Sequence, residues 1–142
     1  MKTLLLSQGD LVIGPAGHAT VTGSSKVRQD LALALGEDYG HDHFHPEWGS
    51  VVTRFVGAPI TAETEMAVYS EVSRVLAIYI GTQRANLERD SLSSSSSRYS
   101  TADIVQQVQA INAKVLLDTI EITVSLLTAS GESLAIKRTV GL

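Results

Sequence analysis

Three histidines alternate in His41-Asp42-His43-Phe44-His45, and Pro46, Glu47, the only tryptophan, Trp48, Gly49 and Ser50 follow at once. Alternate residues of an extended strand share one side, so three imidazoles beside Asp42 and Glu47 could gather as a zinc site. Such a site ordinarily takes a further ligand from a distant element, and no fitting partner stands elsewhere in the sequence. The competing reading is a packed corner. There Phe44 and Trp48 bury, Pro46 fixes a backbone angle, Gly49 permits the turn and Ser50 bonds back to the main chain. The corner is the expectation, with no metal and no cofactor.

Other chemistry has thinner support. Carboxylate pairs for glycoside hydrolysis would be Glu37 or Asp38 with Glu47, or Glu63 with Glu65. A catalytic acid needs an apolar pocket and a partner at a set separation, whereas these residues fall in loop or first-turn contexts where solvation is the default. No Gly-x-Ser-x-Gly elbow is present, and Gly14 and Gly17 are not followed by the Lys-Ser/Thr of a phosphate loop. The chain has no cysteine, which removes thiolate, disulfide and iron–sulfur chemistry and suits a reducing cytoplasm. Its net charge of -4 and pI near 5.5 supply no field for nucleic acid or an acidic membrane surface. On these grounds the chain is expected not to be an enzyme.

The elements that would position these residues follow from periodicity. At 142 residues the chain fits one domain able to bury about two thirds of its unfolded surface. Met1 to Leu6 is too short an apolar run for a leader's core and reads as a first strand. Leu4-Leu5-Leu6, Leu11-Val12-Ile13 and Ala19-Thr20-Val21-Thr22, divided by Gly and Pro, predict a hairpin or meander. Ser24 or Ser25 can cap a helix with Val27, Leu31, Ala34 and Leu35 on one face and Gly36 as its stop. A longer helix begins at Thr61, carries Glu63 and Glu65 in its first turn, and presents Val68, Val72, Val75, Leu76, Tyr79, Gln83 and Leu87 as far as about Asn86 or Arg89.

Ser91 to Ser100 reads as a flexible connection, too polar to pack. Ser100 and Asp103 form a capping-box pattern that predicts a short helix to about Gln107. Val108 to Val115 fits a third strand or a continued helix, and the strand is favoured. Thr119 to Leu126 alternates apolar Ile120, Ile122, Val124 and Leu126 with polar residues, the mark of a half-buried strand, and Ser130-Gly131 turns the chain back through Leu134 to Val140. The predicted fold is therefore α+β: a small antiparallel sheet packed with two main helices, an N-terminal hairpin and a C-terminal hairpin. An amphipathic last strand at the sheet edge would leave backbone groups free for strand addition, with Lys137 and Arg138 blocking promiscuous pairing.

The order of motifs resembles the baseplate wedge and sheath-initiator proteins of contractile phage tails, related to a wedge component of type VI secretion systems. The likeness is carried by Gly9-Asp10-Leu11, Val21-x-Gly23, Val27-x-Gln29-Asp30-Leu31 and His45-Pro46-x-Trp48-Gly49-Ser50. It continues in the helix from Glu71 to Gln83, Tyr99-Ser100 and Asp118 to Val124. Many relatives carry Glu-Pro-Arg after the long helix; Thr82-Gln83-Arg84 keeps only the arginine.

The resemblance implies one wedge domain over residues 1–142, a virion structural protein that joins the baseplate to the tail sheath and starts sheath assembly, with no catalytic turnover. It implies six copies per baseplate, assembled in the host cytoplasm. The partners would be other wedge proteins and sheath subunits, with tail tube or hub proteins as further candidates. Arg84, Pro46, Trp48, Gly49, Leu134, Ile136 and Arg138 are the expected structural or partner-binding residues. A peptidoglycan-degrading, lysozyme-like tail enzyme is the alternative, and a small histidine-based metal-binding module a more distant one.

Overall fold

The computed structural model describes residues 1–94 and 96–141. Its centre is a three-stranded antiparallel sheet in the order β7 (Val105–Val115), β8 (Thr119–Thr128) and β9 (Ser133–Gly141), with two helices on one face. The first, α1 (Gly23–Gly36), lies over β9; the second, α2 (Ala62–Leu92), lies over β7. The α+β architecture read from the sequence is the one observed.

The alternation along β8 explains its place in the middle. Ile120, Ile122, Val124 and Leu126 are fully buried, and Leu134, Ile136 and Val140 of β9 join them. From above they meet Val27, Leu31 and Leu35 of α1 and Val68, Val72, Val75 and Leu76 of α2. Each such side chain contributes about 1.5–3 kcal/mol on leaving water. The opposite face carries Glu121, Lys137 and Thr139 to solvent.

β7 obeys a different phase. Register shifts between Val105 and Gln107 and between Val108 and Ala110 mark two bulges, each inserting a residue. The residues turned toward the helices are therefore Val105, Val108, Ile111, Ala113 and Val115. The helix expected from Ser100 to Gln107 is absent, because β7 already begins at Val105. Asp103 does bond to Ser100 as in a capping box, but its other partners hold the chain in a turn instead.

The N-terminal region contains the expected hairpin twice: β2 (Leu6–Ser7) with β3 (Asp10–Leu11), and β4 (Ile13–Gly14) with β5 (Gly17–His18). β1 (Thr3–Leu4) and β6 (Thr20–Val21) pair to close the motif. Gln8 and Gly9 both have positive φ at the first turn, the geometry that matches a two-residue hairpin to strand twist. At the centre, Leu5 N–H donates to Ala19 O (2.8 Å), Ala19 N–H to Val12 O (2.8 Å) and Val12 N–H to Leu5 O (3.0 Å). Three segments are thus joined in a closed ring of main-chain bonds. Gln29 of α1 fastens the ring, its side chain donating to Leu4 O and accepting from Leu6 N–H.

Both helices start differently from one another. Thr61 caps α2 as expected, its hydroxyl accepting from Thr64 N–H at 3.2 Å. Neither Ser24 nor Ser25 caps α1, which starts at Gly23. Its first N–H donates instead to the carboxylate of Asp103, eighty positions away in the chain, at 2.6 Å. α2 runs through Gly81 and three residues beyond Arg89, to Leu92.

Candidate functional site

The segment from Glu37 to Val51 is a corner between α1 and a short 3-10 turn (Val52–Phe55). Its two limbs are tied by main-chain bonds from Tyr39 N–H to Ser50 O, Gly40 N–H to Trp48 O and Ser50 N–H to Glu37 O. Gly49 has φ +94, and a Cβ there would stand 2.6 Å from Asp38 O, so only glycine fits. The buried Ser50 hydroxyl donates to Leu35 O at 2.9 Å, joining the corner to the end of α1. These roles match those read from the sequence.

Two ions of α2 hold the corner from outside. Glu71 accepts from Val51 N–H (2.9 Å) and Arg74 donates to Gly49 O (3.0 Å), while the two side chains pair with each other at 2.6 Å. The Arg74 guanidinium also lies 4.8 Å from the centre of the Tyr39 ring. The bond from Arg74 is the main reason the Glu71 carboxyl is held below the usual carboxylate range. Solvation is the ordinary fate of such helix charges, and only the fold shows Arg74 to be an anchor.

The histidines do not converge. His41, His43 and His45 are exposed, and no group of three metal-ligating side chains that could hold an ion occurs among the described residues. Asp42 accepts from His45 Nδ1 (3.0 Å) and Phe44 N–H (2.8 Å), which lowers its pKa, His45 first. Phe44 is 91% exposed, a correction to the expectation that it buries: the Asp42 turn carries its side chain away from the core. Pro46 is exposed, and Trp48 is half-buried against the core.

Beside Trp48 lies a cavity of about 380 Å³ between α1, α2 and the corner. Ile78, Tyr79 and Trp48 supply apolar wall, and Asp30, Asp42 and Glu47 are the carboxylates that line it. Lys26 is only 5% exposed and its ammonium pairs with Asp30, which also accepts from the Tyr79 hydroxyl at 3.0 Å. Burial, then the Asp30 charge, pushes the Tyr79 phenol well above its ordinary value. Thr3 Oγ1, also on the lining residues, is buried and has no hydrogen-bond partner.

Behind the cavity a second polar group joins distant elements. Asp103, 1% exposed, accepts from Gly23 N–H, Ser100 N–H, the Ser100 hydroxyl and the terminal ammonium of Met1. Burial raises its pKa, but those donors together lower it further, and the net shift is downward. Gln83, also buried, donates to Asp103 O and accepts from Val105 N–H, setting the start of β7. Farther along, Asp90 accepts from Arg98 N–H and guanidinium, and Asn86 donates to the Tyr99 hydroxyl, so Arg98 and Tyr99 are tied back to α2.

Arg84 is exposed and makes no ion pair among the described residues; the buried polar residue of that stretch is Gln83. Leu134 and Ile136 point into the core. Arg138 is exposed but lies on the helix-facing side of β9, in phase with Leu134 and Ile136, its guanidinium against Gly36 in the last turn of α1, where the helix dipole favours a cation. The Lys26–Asp30 pair escaped sequence reading, and Gln83 and Asp103, placed there on a helix stripe and in a capping box, were not read as links between distant elements. A polar residue continuing an apolar helical stripe, as Gln83 does after Tyr79, is the signal that could have marked its link.

No helix among the described residues is long and apolar enough to cross a membrane. No family model matches the chain, and neither does any curated protein. Among solved structures, a Geobacter sulfurreducens protein described as a putative tail lysozyme superposes with a TM-score of 0.58, over 87% of this chain and 96% of that one, at 13% identity. At that identity the likeness shows a shared fold. It also corrects the expectation that the chain is not an enzyme, because a protein bearing a lysozyme description is built on the same architecture. Asp42 and Glu47 line one partly apolar cavity, in which Glu47 is exposed and the Asp42 carboxyl is held below the usual carboxylate range.

Proposed function

We propose that the chain is a tail-associated protein of a contractile phage-like particle, a component of the baseplate wedge that helps join baseplate to sheath and starts sheath assembly. The observation that carries this reading is β9, a nine-residue strand paired on one side only and mounted on a packed two-helix platform. Such an edge is a template onto which a strand of another chain can add. The motif order along the sequence and the likeness to a tail protein over nearly all of that protein's length support the same reading. Wedge proteins and sheath subunits are the partners, six copies the stoichiometry, and the virion tail baseplate the location.

Electron microscopy of tails assembled with and without this chain tests the reading. Tubes lacking sheath are expected in its absence, and fully sheathed tails would overturn it.

A second reading has its own observation. The cavity beside Trp48 sets carboxylates against an aromatic wall, the kind of surface on which a sugar ring can stack between an acid and a base. A peptidoglycan-cleaving tail enzyme would use Glu47 and Asp42 there. Clearing of a peptidoglycan suspension by the purified chain, lost in Glu47→Gln, is the result that would favour it.

A further inference from the structure

The cavity between α1, α2 and the corner joins three features that the tail-assembly reading leaves unused. Its wall is largely aromatic, with Trp48, Tyr79 and Tyr99 among the lining residues and Ile78 beside them. Its charges do not balance. Lys26 is matched by Asp30 and the Met1 ammonium by Asp103, whereas Asp42 has only the His45 imidazole. Glu47 makes no side-chain hydrogen bond or ion pair among the described residues. The third feature is Thr3 Oγ1, a buried hydroxyl of a lining residue with no hydrogen-bond partner.

Each feature selects for the same kind of occupant. A carboxylate without a partner calls for a cation, an aromatic face attracts a cation and stacks on a planar one, and an orphaned hydroxyl can accept an N–H. Among protein side chains arginine meets all three demands. Its guanidinium is planar, always charged and carries five donors, and its methylene stem packs on apolar wall. The ammonium of lysine is more strongly hydrated and gives up more on leaving water. A neutral sugar would stack as well, but it would leave both carboxylates uncompensated.

We propose that this cavity seats an arginine side chain of a partner protein, its stem against Trp48 and Ile78 and its guanidinium toward Glu47 and Asp42. That the arginine belongs to a protein rests on the tail-assembly reading above; the chemistry of the seat rests on the cavity alone. An arginine set in a closely lined pocket is the kind of anchor that carries a large share of a contact's binding energy.

Trp48 is the only tryptophan, so its emission reports on the cavity directly. The test titrates the full chain with a blocked peptide that holds one arginine between alanines. It is run beside the same peptide with citrulline or lysine in that place, and beside an N-acetylglucosamine oligomer. Citrulline keeps the shape of arginine and loses the charge. The arginine peptide is expected to shift the emission saturably, with a Kd of roughly a millimolar for one anchored side chain, and the lysine peptide to bind more weakly. Affinity is expected to fall about three- to fivefold in Glu47→Gln, the size of one partly exposed charge pair. Thr82→Phe sets a ring at an exposed lining position and is expected to abolish binding. Circular dichroism checks that both variants are folded.

Equal binding of the citrulline peptide would remove the charge that selects the occupant and overturn the proposal. Arginine binding that survives Thr82→Phe would lie outside the cavity and overturn it too. So would an emission unmoved by every peptide, with no heat of binding in calorimetry. A response to the sugar oligomer alone would give the cavity to the peptidoglycan reading in place of arginine. None of these results bears on sheath assembly, which microscopy of the tails decides separately.

Discussion

The molecule contains two β regions that stay folded for different reasons. In the C-terminal sheet β8 buries every second side chain, and its hydrogen bonds run inside a packed layer. In the N-terminal motif no residue from Met1 to Thr22 is fully buried, and Leu4, Leu11 and Ile13 face solvent. That motif is held by a ring of three main-chain bonds, the Gln29 clamp and the Met1–Asp103 ion pair. Apolar burial is worth more than any single exchange of water for a protein hydrogen bond, so the first region belongs to the global fold. The second is a docked appendage able to open by itself.

The largest test of that contrast is Ile122→Ala. It removes a fully buried side chain from the middle strand, and chemical denaturation is expected to show a loss of about 3–4 kcal/mol. Asp103→Ala strikes the junction of the two regions. It removes a buried carboxylate and leaves the Gly23 and Ser100 donors without their acceptor, and a loss of about 2–3 kcal/mol is expected, with hydrogen exchange quickening at the start of α1 as well as in the ring. If exchange quickens in neither place, Asp103 is not the joint described above.

Smaller effects sharpen the comparison. Arg74→Ala removes the donor to Gly49 O and leaves Glu71 without its ion partner, and a loss of about 1–2 kcal/mol is expected. Gln29→Ala should change global stability by less than about 1 kcal/mol. It should nevertheless abolish protection of the Leu5, Val12 and Ala19 amides, and equal loss of protection in β8 would erase the distinction between the regions.

Acid should act on the joints before the core. Glu71 and Asp103 have folded pKa values below their unfolded ones, so their stabilisation is complete above the unfolded values near 4 and is lost as pH falls through the folded ones. A pH series of melting temperatures should therefore decline below about pH 4, and Asp103→Asn should make the decline shallower.

What sequence reading recovered follows the same division. The stripe of α2, its Thr61 cap, the alternation of β8 and the special geometry of Gly49 and Ser50 are local patterns, and they stand in the fold as read. β7 was assigned to a strand, but Val108, Ala110, Asn112 and Lys114 show no face, since two bulges shift the phase within one strand. The cap of α1 was invisible because its acceptor, Asp103, arrives from the far side of the chain. The cavity was missed for a like reason: Asp30 belongs to α1 and Asp42 and Glu47 to the corner, and only packing of both helices against the corner sets them around one space. Phe44 was misplaced because hydrophobicity alone says nothing of the turn that Asp42 imposes.

The 31 residues of α2 make a rod of about 46 Å at 1.5 Å per residue. Near one third of its length Glu71 and Arg74 grip the corner; in its last third Gln83 and Asp90 grip the approach to β7. A load on the corner and a load on the start of β7 would thus reach the same stiff member at two separate points. The helix works as a brace that spans the corner at one end and the entry to the sheet at the other.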